Sequence, residues 1–230
     1  MTSLKQLDVV IISQNERQRL PISVLEVIHA SEEMGVQKVS VTVIDNASHD
    51  GSDEIVETMA KTIHSLKLIR FETALSPAEL VNRALSEVQG EYLLLFISPG
   101  AVPFNLESYF RETGGQQFSS FVGEVPRLSF HRPERWFSII TLKLADWIHP
   151  RNILRLRTFG VLLHKPMADD LVKNWPPGVN NLQVLQQSLV NVGAVSKTHV
   201  VAGAPLFGFS NSALGFLNRS IKAYFLRRRS

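Results

Sequence analysis

Polar and acidic side chains follow three short apolar runs, at the points where each run ends. The three polar segments are Ser13–Glu16, Asp45–Asp50 and Ser98–Val102. Their carboxylates, amides and hydroxyls accept or donate hydrogen bonds and are suited to holding a polar ligand. These segments are therefore the first candidates for a functional site, provided that the fold brings them together.

The elements that would position these segments alternate along the first hundred residues. Short apolar runs separated by helical patterns predict buried parallel strands with crossover helices. The predicted strands are 8–13, 39–44, 66–71 and 92–97, and the predicted helices are about 20–34, 52–65 and 77–88. Such a sheet has helices on both faces and binds ligands outside the carboxyl ends of its strands. The three polar segments all fall at those ends.

Composition excludes several other classes of protein. The chain has 230 residues, no cysteine and a net charge of +3, so thiol nucleophiles, disulfide scaffolds and cysteine metal sites are ruled out. No glycine-rich dinucleotide or P-loop motif follows any strand. The seven histidines show no close pair at helical spacing that would indicate a metal site. The apolar runs are shorter than the roughly 20 residues of a membrane span, no secretory signal is expected, and the charge excess does not indicate nucleic acid.

Several motifs resemble the family 2 glycosyltransferases. Val9–Glu16 is similar to their opening strand, and Val43–Ser52 to their second-strand signature of an Asp followed by Asn, Ser and an Asp-Gly-Ser turn. Asn82 and Gly90–Phe96 resemble the stretch that leads into the metal motif of the family. Arg219-Ser220 resembles the end of rhamnosyltransferase-like members. The first 100 residues carry most of this resemblance.

The resemblance implies an α/β GT-A fold, with a Rossmann-like, mainly parallel sheet and helices on both faces. Residues 1–105 would form the half that binds the nucleotide-sugar, and residues 106–230 the acceptor half of one compact domain. The implied activity is transfer of a sugar from a nucleotide-diphosphate donor to a glycan or lipid-linked acceptor. The implied nucleotide-binding residues are Ser13, Asn15, Glu16, Asp45, Asn46, Ser48, Asn82, Ser98 and Gly100.

The acidic motifs of the family are replaced in this chain. Ser98-Pro99-Gly100 stands where the family has Asp-x-Asp or Asn-Pro-Asp, and Asn180-Asn181 stands where it has Glu-Asp. An amide has neither the charge nor the basicity of a carboxylate, so Asn181 cannot act as the general base. Asp169 and Asp170, expected on a loop, are alternative bases. No metal cofactor is expected, although Mg²⁺ or Mn²⁺ stays open, and a basic segment at 127–157 is an alternative partner for phosphate.

Three functions remain open from the sequence. The first is an inverting glycosyltransferase that works without a metal or with impaired catalysis. The second is an inactive relative that binds a nucleotide, sugar or partner protein. The third is a basic interaction module that retains only the fold. Structural roles compete with these functions, because Asp45 could cap a turn and Asp50–Ser52 reads chiefly as a turn and helix start. We expect a cytoplasmic protein, with a basic amphipathic helix at about 212–229 as a candidate for peripheral contact with a membrane.

Overall fold

The described part of the chain is a mostly parallel sheet with helices packed on it. The computed structural model describes residues 5–98, 102, 118–123, 158–173 and 196–201. The strands are β1 (Gln6–Ser13), β2 (Lys38–Asn46), β3 (Leu66–Phe71), β4 (Tyr92–Phe96), β5 (Phe118–Gly123), β6 (Thr158–His164) and β7 (Ser196–Val201). The helices within these residues are α1 (Leu20–Glu33), α2 (Ser52–Ala60), α3 (Pro77–Ser86) and α4 (Lys165–Lys173).

The seven strands form one sheet in the order β3-β2-β1-β4-β6-β5-β7. Neighbours pair in parallel except at β4–β6 and β5–β6, which are antiparallel. Strand β6 therefore runs against the other six. Because crossovers between parallel strands are right-handed, α1 and α2 lie on one face of the sheet and α3, which returns from β3 to β4, lies on the other.

Burial on both faces explains why β1 and β4 are continuously apolar. Leu7 and the four residues Val9–Ile12 are almost fully buried, as are Leu93–Phe96 in β4. Helix α3 begins with a capping box, in which Ser76 Oγ accepts from the Glu79 N–H and the Glu79 carboxylate accepts from the Ser76 N–H. These two bonds satisfy two backbone donors at the helix start and fix where α3 begins.

A buried carboxylate ties the amino edge of the sheet together. One oxygen of Asp8 accepts from the backbone N–H groups of Gln89 and Gly90, at 2.6 Å each. A β-carbon on Gly90 would lie 2.9 Å from Gln6 Cγ, so only glycine fits this approach. Lys165 adds a third connection, donating its backbone N–H to Glu91 O and its Nζ to Val88 O. The turn before β4 is thereby fixed to β1 and to the start of α4.

The four predicted strands and the mostly parallel sheet are confirmed, and other expectations are corrected. The helix predicted over 52–65 ends at Ala60, because the backbone N–H groups of Thr62 and Ile63 both turn back to Met59 O and the Thr62 hydroxyl bonds the same carbonyl. Asp169 and Asp170 lie inside α4, so their placement on a loop is wrong.

Several predicted features lie outside the described residues. They are Gly100, the basic segment 127–157, the helix carrying Asn180 and Asn181, and the helix at 212–229. Among the residues that the structure does describe, no helix is long and apolar enough to span a membrane.

Candidate functional site

Three polar side chains lie in one row across the carboxyl edge of the sheet. Ser13 ends β1 and pairs directly with Asp45 of β2. On its other side β1 pairs with β4, with Ile11 opposite Phe96, so continuing this register by two residues brings Ser13 beside Ser98. Adjacent strands are about 4.8 Å apart. Asp45 and Ser13 are therefore neighbours at the ends of β2 and β1, and Ser98 follows the end of the next strand, β4.

The Asp45 carboxylate is buried and only half satisfied. Its exposed fraction is 1%, and Oδ2 accepts a hydrogen bond of 3.1 Å from the Ser48 N–H. Among the described residues, the buried Oδ1 has no hydrogen-bond partner, and neither has the buried Oγ of the neighbouring Ser13. A buried acceptor without a donor costs about 1–3 kcal/mol or more when charged. A carboxylate oxygen that lacks a donor, next to a hydroxyl that can donate or accept, indicates a place where a ligand with N–H or O–H groups would be stabilised.

Glu16 and Ser98 bridge the gap between the ends of β1 and β4. Ser98 Oγ donates a 2.6 Å hydrogen bond to Glu16 Oε1. The chain leaves β1 towards β2 and leaves β4 towards the other half of the sheet, so this gap is the topological switch point, where open α/β sheets bind their ligands. The carboxylate at this point comes from the turn after β1, while β4 itself ends in a hydroxyl.

The turns after β1 and β2 are bonded to each other. The Asn15 N–H donates to Ser48 Oγ, and Asn15 Oδ1 accepts from the His49 N–H at 2.8 Å. The two turns contain the non-glycine residues with positive φ among those described, Asn15 at 54° and Ala47 at 55°. An alanine there costs about 1–2 kcal/mol relative to ordinary helical backbone. The cross-turn bonds hold this geometry in place.

Asp50 extends the same connection and has a structural role. Its Oδ2 accepts from the Arg17 N–H, its carbonyl accepts from Arg17 Nη1, and its Oδ1 accepts from the Ser52 N–H at the start of α2. Burial acts to raise the pKa of Asp50, but hydrogen bonds from Ser52 and Arg17 outweigh it and hold that pKa below the ordinary value. This arrangement favours the interpretation of Asp50–Ser52 as a turn and helix start.

Asn46 is buried beside Asp45, but its side chain is already paired. Asn46 Oδ1 accepts from the Leu75 N–H at 2.7 Å, and its Nδ2 donates to the Leu75 carbonyl at 3.4 Å. Leu75 and Asn82 line an open groove of about 500 Å³ beside α3, together with Phe71, Ala78, Glu79, Arg83 and Ser86. Asn82 is therefore part of this groove.

The candidate site residues of the first half thus collect at one edge. Ser13, Asn15, Glu16, Asp45, Asn46, Ser48 and Ser98 lie on three neighbouring strand ends or in the turns that follow them. Asp169 and Asp170 lie on α4, which starts at the opposite edge of the sheet, and Asp169 Oδ1 lies 3.7 Å from Lys165 Nζ. Sequence reasoning missed Arg17 and Leu75, because bonds between turns about 30 residues apart leave no local pattern.

The described residues do not fit a divalent cation at the end of β4. Mg²⁺ and Mn²⁺ are bound through several oxygen ligands, usually with one or more carboxylates. Here Glu16 is the carboxylate bonded at the strand end, and Ser98 supplies a hydroxyl that already donates to it. Within the described ranges, no group of three or more His, Asp or Glu side chains is placed to hold a metal ion.

Comparison with known proteins identifies the fold and a family match over part of the chain. The fold is that of the GT-A glycosyltransferases, as its likeness to solved structures shows. Residues 8–96 match the sequence model of Glycosyl transferase family 2, so the family resemblance read from the motifs is confirmed over these residues. No relative was found among curated protein sequences.

Two solved structures illustrate the likeness in fold. The mannosyltransferase PcManGT from Pyrobaculum calidifontis, in complex with GDP-Man and Mn²⁺, superposes with a TM-score of 0.66 at 14% identity, over 99% of this chain and 65% of that one. This chain therefore spans about two thirds of the length of the mannosyltransferase. Glucosyl-3-phosphoglycerate synthase from Mycobacterium tuberculosis, in complex with Mn²⁺, UDP and glucosyl-3-phosphoglycerate, gives a TM-score of 0.61 at 14% identity, over 97% of this chain and 80% of that one.

Proposed function

We propose that this chain binds a nucleotide-diphosphate sugar at the carboxyl edge of its sheet and transfers the sugar to a glycan or lipid-linked acceptor. The observation that carries the proposal is the unpartnered, buried Oδ1 of Asp45 beside the equally unpartnered Ser13 Oγ. Nucleoside bases offer N–H donors and ribose offers hydroxyls, which would satisfy these oxygens. The family match over 8–96 and the donor sugar nucleotides bound by the similar structures support the same function.

Transfer in this chain is proposed to proceed without the acidic metal site of its relatives. PcManGT and glucosyl-3-phosphoglycerate synthase were solved with Mn²⁺, whereas the residues described here offer one carboxylate, Glu16, at the end of β4. The charge of a leaving diphosphate would then have to be met by cationic side chains. The basic segment 127–157, which lies outside the described residues, is the candidate for that task.

A second function is favoured by the same strand end. If the hydroxyl at Ser98 has replaced a metal ligand without compensation, the protein is an inactive relative that binds a nucleotide, a sugar or a partner protein. The bond between Ser98 and Glu16 supports this alternative, because it satisfies the carboxylate internally. Binding is common to both proposals, and turnover separates them.

Calorimetric titration with UDP-, GDP- and dTDP-sugars, with and without Mn²⁺, tests binding directly. Asp45→Ala should weaken the affinity roughly 10- to 100-fold, because one hydrogen bond to a charged group contributes about 1.5–3 kcal/mol. Glu57→Ala, which removes an exposed carboxylate on α2, is the matched control and should bind like the wild type. Asp45→Asn retains the acceptor for the Ser48 N–H and serves if the alanine variant does not fold.

Release of UDP or GDP from the donor, with water as acceptor, measures turnover in the same samples. Release that is indifferent to chelator supports the metal-independent transferase, whereas binding without release supports the inactive relative. A folded Asp45→Ala variant that binds as tightly as the wild type would contradict the proposed site. Binding that requires Mn²⁺ would contradict the proposal of metal independence.

A further inference from the structure

We infer that Asn46 is a positioning residue, which holds residues 72–76 as one wall of the donor site instead of contacting the donor itself. This inference rests on the proposed function for its effect on binding, but its structural part can be tested without a nucleotide. Residues 72–76 connect β3 to α3 and are named the β3–α3 segment here.

The Asn46 side chain pairs with the backbone of Leu75 in the way that a neighbouring strand would. Asn46 is the last residue of β2 and pairs with Phe71, the last residue of β3. The chain then leaves the sheet, and four residues later Leu75 returns to Asn46. The Asn46 side chain meets both polar groups of Leu75, accepting from its N–H at 2.7 Å and donating to its carbonyl at 3.4 Å.

The residue type matches this task closely. Pairing with both groups of one residue needs an acceptor and a donor on the same short side chain, which asparagine supplies. Aspartate keeps the acceptor but turns a second oxygen towards the Leu75 carbonyl, and serine has a single hydroxyl in place of the two polar atoms. Asn46 is 5% exposed, so losing its bonds would leave buried polar groups unpaired.

The consequence of the bond is that the β3–α3 segment is fixed to the residue that follows Asp45. Leu75 and Phe71 line the groove beside α3, and Ser76, the next residue, caps that helix. Asn46 therefore sets the distance between the end of β2 and the start of α3. Its neighbour Asp45 presents the carboxylate oxygen that has no partner among the described residues. Two consecutive residues would therefore position the two sides of the site: Asp45 would bind the ligand, and Asn46 would hold the wall formed by the β3–α3 segment.

Hydrogen exchange followed by mass spectrometry tests the positioning role on the full chain. In Asn46→Ala the amide of Leu75 should exchange on the order of 10-fold faster, because its acceptor is lost, while amides within β2 and β3 keep their protection. Asn46→Asp retains the acceptor but places an oxygen against the Leu75 carbonyl, so it should restore part of the protection at Leu75. Thr58→Ala removes an exposed side-chain bond to Glu54 O on α2 and should change neither measurement.

Titration of the same variants with UDP- and GDP-sugars tests the link to the site. We expect Asn46→Ala to raise Kd roughly 10-fold at a temperature where circular dichroism shows both this variant and Thr58→Ala to be folded. Unchanged exchange at Leu75 would overturn the positioning role. Faster exchange with unchanged affinity, in a protein whose Asp45→Ala variant loses affinity, would overturn the role of the wall and leave the proposed function standing. If the wild type binds no nucleotide while Leu75 exchange responds as expected, the proposed function fails, and with it the effect on binding, but the positioning of the segment stands.

Discussion

Replacing Ser98 by aspartate places a second carboxylate just after β4 and should destabilise this protein. Ser98 Oγ donates to Glu16 Oε1 at 2.6 Å. In Ser98→Asp the donor disappears and two carboxylates meet where one hydroxyl and one carboxylate met before. The site then holds two like charges, and the position of Ser98 is largely buried.

The size of the effect follows from the separation of the oxygens. Two unit charges about 3 Å apart in a medium of effective dielectric constant 20 repel by about 5 kcal/mol. Uptake of one proton limits this cost, because protonating a carboxyl group of ordinary pKa near 4.3 at pH 7 costs about 4 kcal/mol. Side-chain movement lowers it further, so we expect a loss of about 2–3 kcal/mol, which corresponds to a fall in Tm of roughly 4–12 °C.

The sign of the pH dependence is fixed by the same reasoning. Repulsion raises the pKa of the carboxyl pair in the folded variant above the unfolded value, so the variant is stable at low pH and loses stability as pH rises through the raised pKa. The Tm of Ser98→Asp should therefore lie close to that of the wild type at about pH 4.5 and well below it at pH 8. Mn²⁺ should raise the Tm of Ser98→Asp and leave that of the wild type unchanged, since two carboxylates suit a divalent cation.

The double variant Glu16→Gln with Ser98→Asp is the control. Its amide can donate to the new carboxylate, which restores a donor and an acceptor with their positions exchanged, and most of the lost stability should return. Ser98→Ala removes the bond without adding charge and should cost about 1–2 kcal/mol at both pH values. A Ser98→Asp variant as stable as the wild type at pH 8 without metal would refute the proximity of these two side chains.

Two further predictions concern the framework around the site. Asp8→Ala removes the acceptor of two backbone N–H groups, those of Gln89 and Gly90, and should lower the free energy of unfolding by about 2–4 kcal/mol in urea denaturation; a loss below 1 kcal/mol would show that this connection is not structural. The pKa of Asp50 is lowered from 3.8, so its ionised form stabilises the fold above that pH and the contribution is lost as pH falls through the folded pKa. Asp50→Asn should therefore have a flatter dependence of unfolding free energy on pH below about 4 than the wild type, and equal slopes would contradict the bonds to Arg17 and Ser52.

The sheet and its carboxyl edge were predictable because local sequence determines them. Continuous apolar runs mark β1 and β4 as buried on both faces, and the Ser76-Pro77 pair with Glu79 marks the start of α3. Once parallel strands are expected, Ser13, Asp45 and Ser98 must fall at the same edge. The polar residues in the turns are there for the same topological reason.

The sequence did not indicate which residues at the carboxyl edge would bond to other turns of the protein. The side chain of Asn46 is hydrogen-bonded to Leu75, 29 residues away. Asn15 is hydrogen-bonded to the turn that contains Ser48. These bonds depend on how two turns approach each other, which neither propensity nor periodicity reports. Strand β6 and helix α4 also escaped prediction, because β6 runs against its neighbours and does not continue the strand–helix alternation of the first half.

The hydrogen bonds between the turns after β1 and β2 limit which residues homologues can have in these turns. Asn15 satisfies the backbone near Ser48, and Arg17 satisfies Asp50, each across 33 or 34 positions. In three of these bonds a side-chain oxygen of one turn accepts from a backbone N–H of the other, so replacing Asn15, Ser48 or Asp50 by an apolar residue removes the acceptor whatever residue stands opposite. Homologues should therefore retain side-chain acceptors at the positions of Asn15, Ser48 and Asp50, although the two turns are distant in the chain.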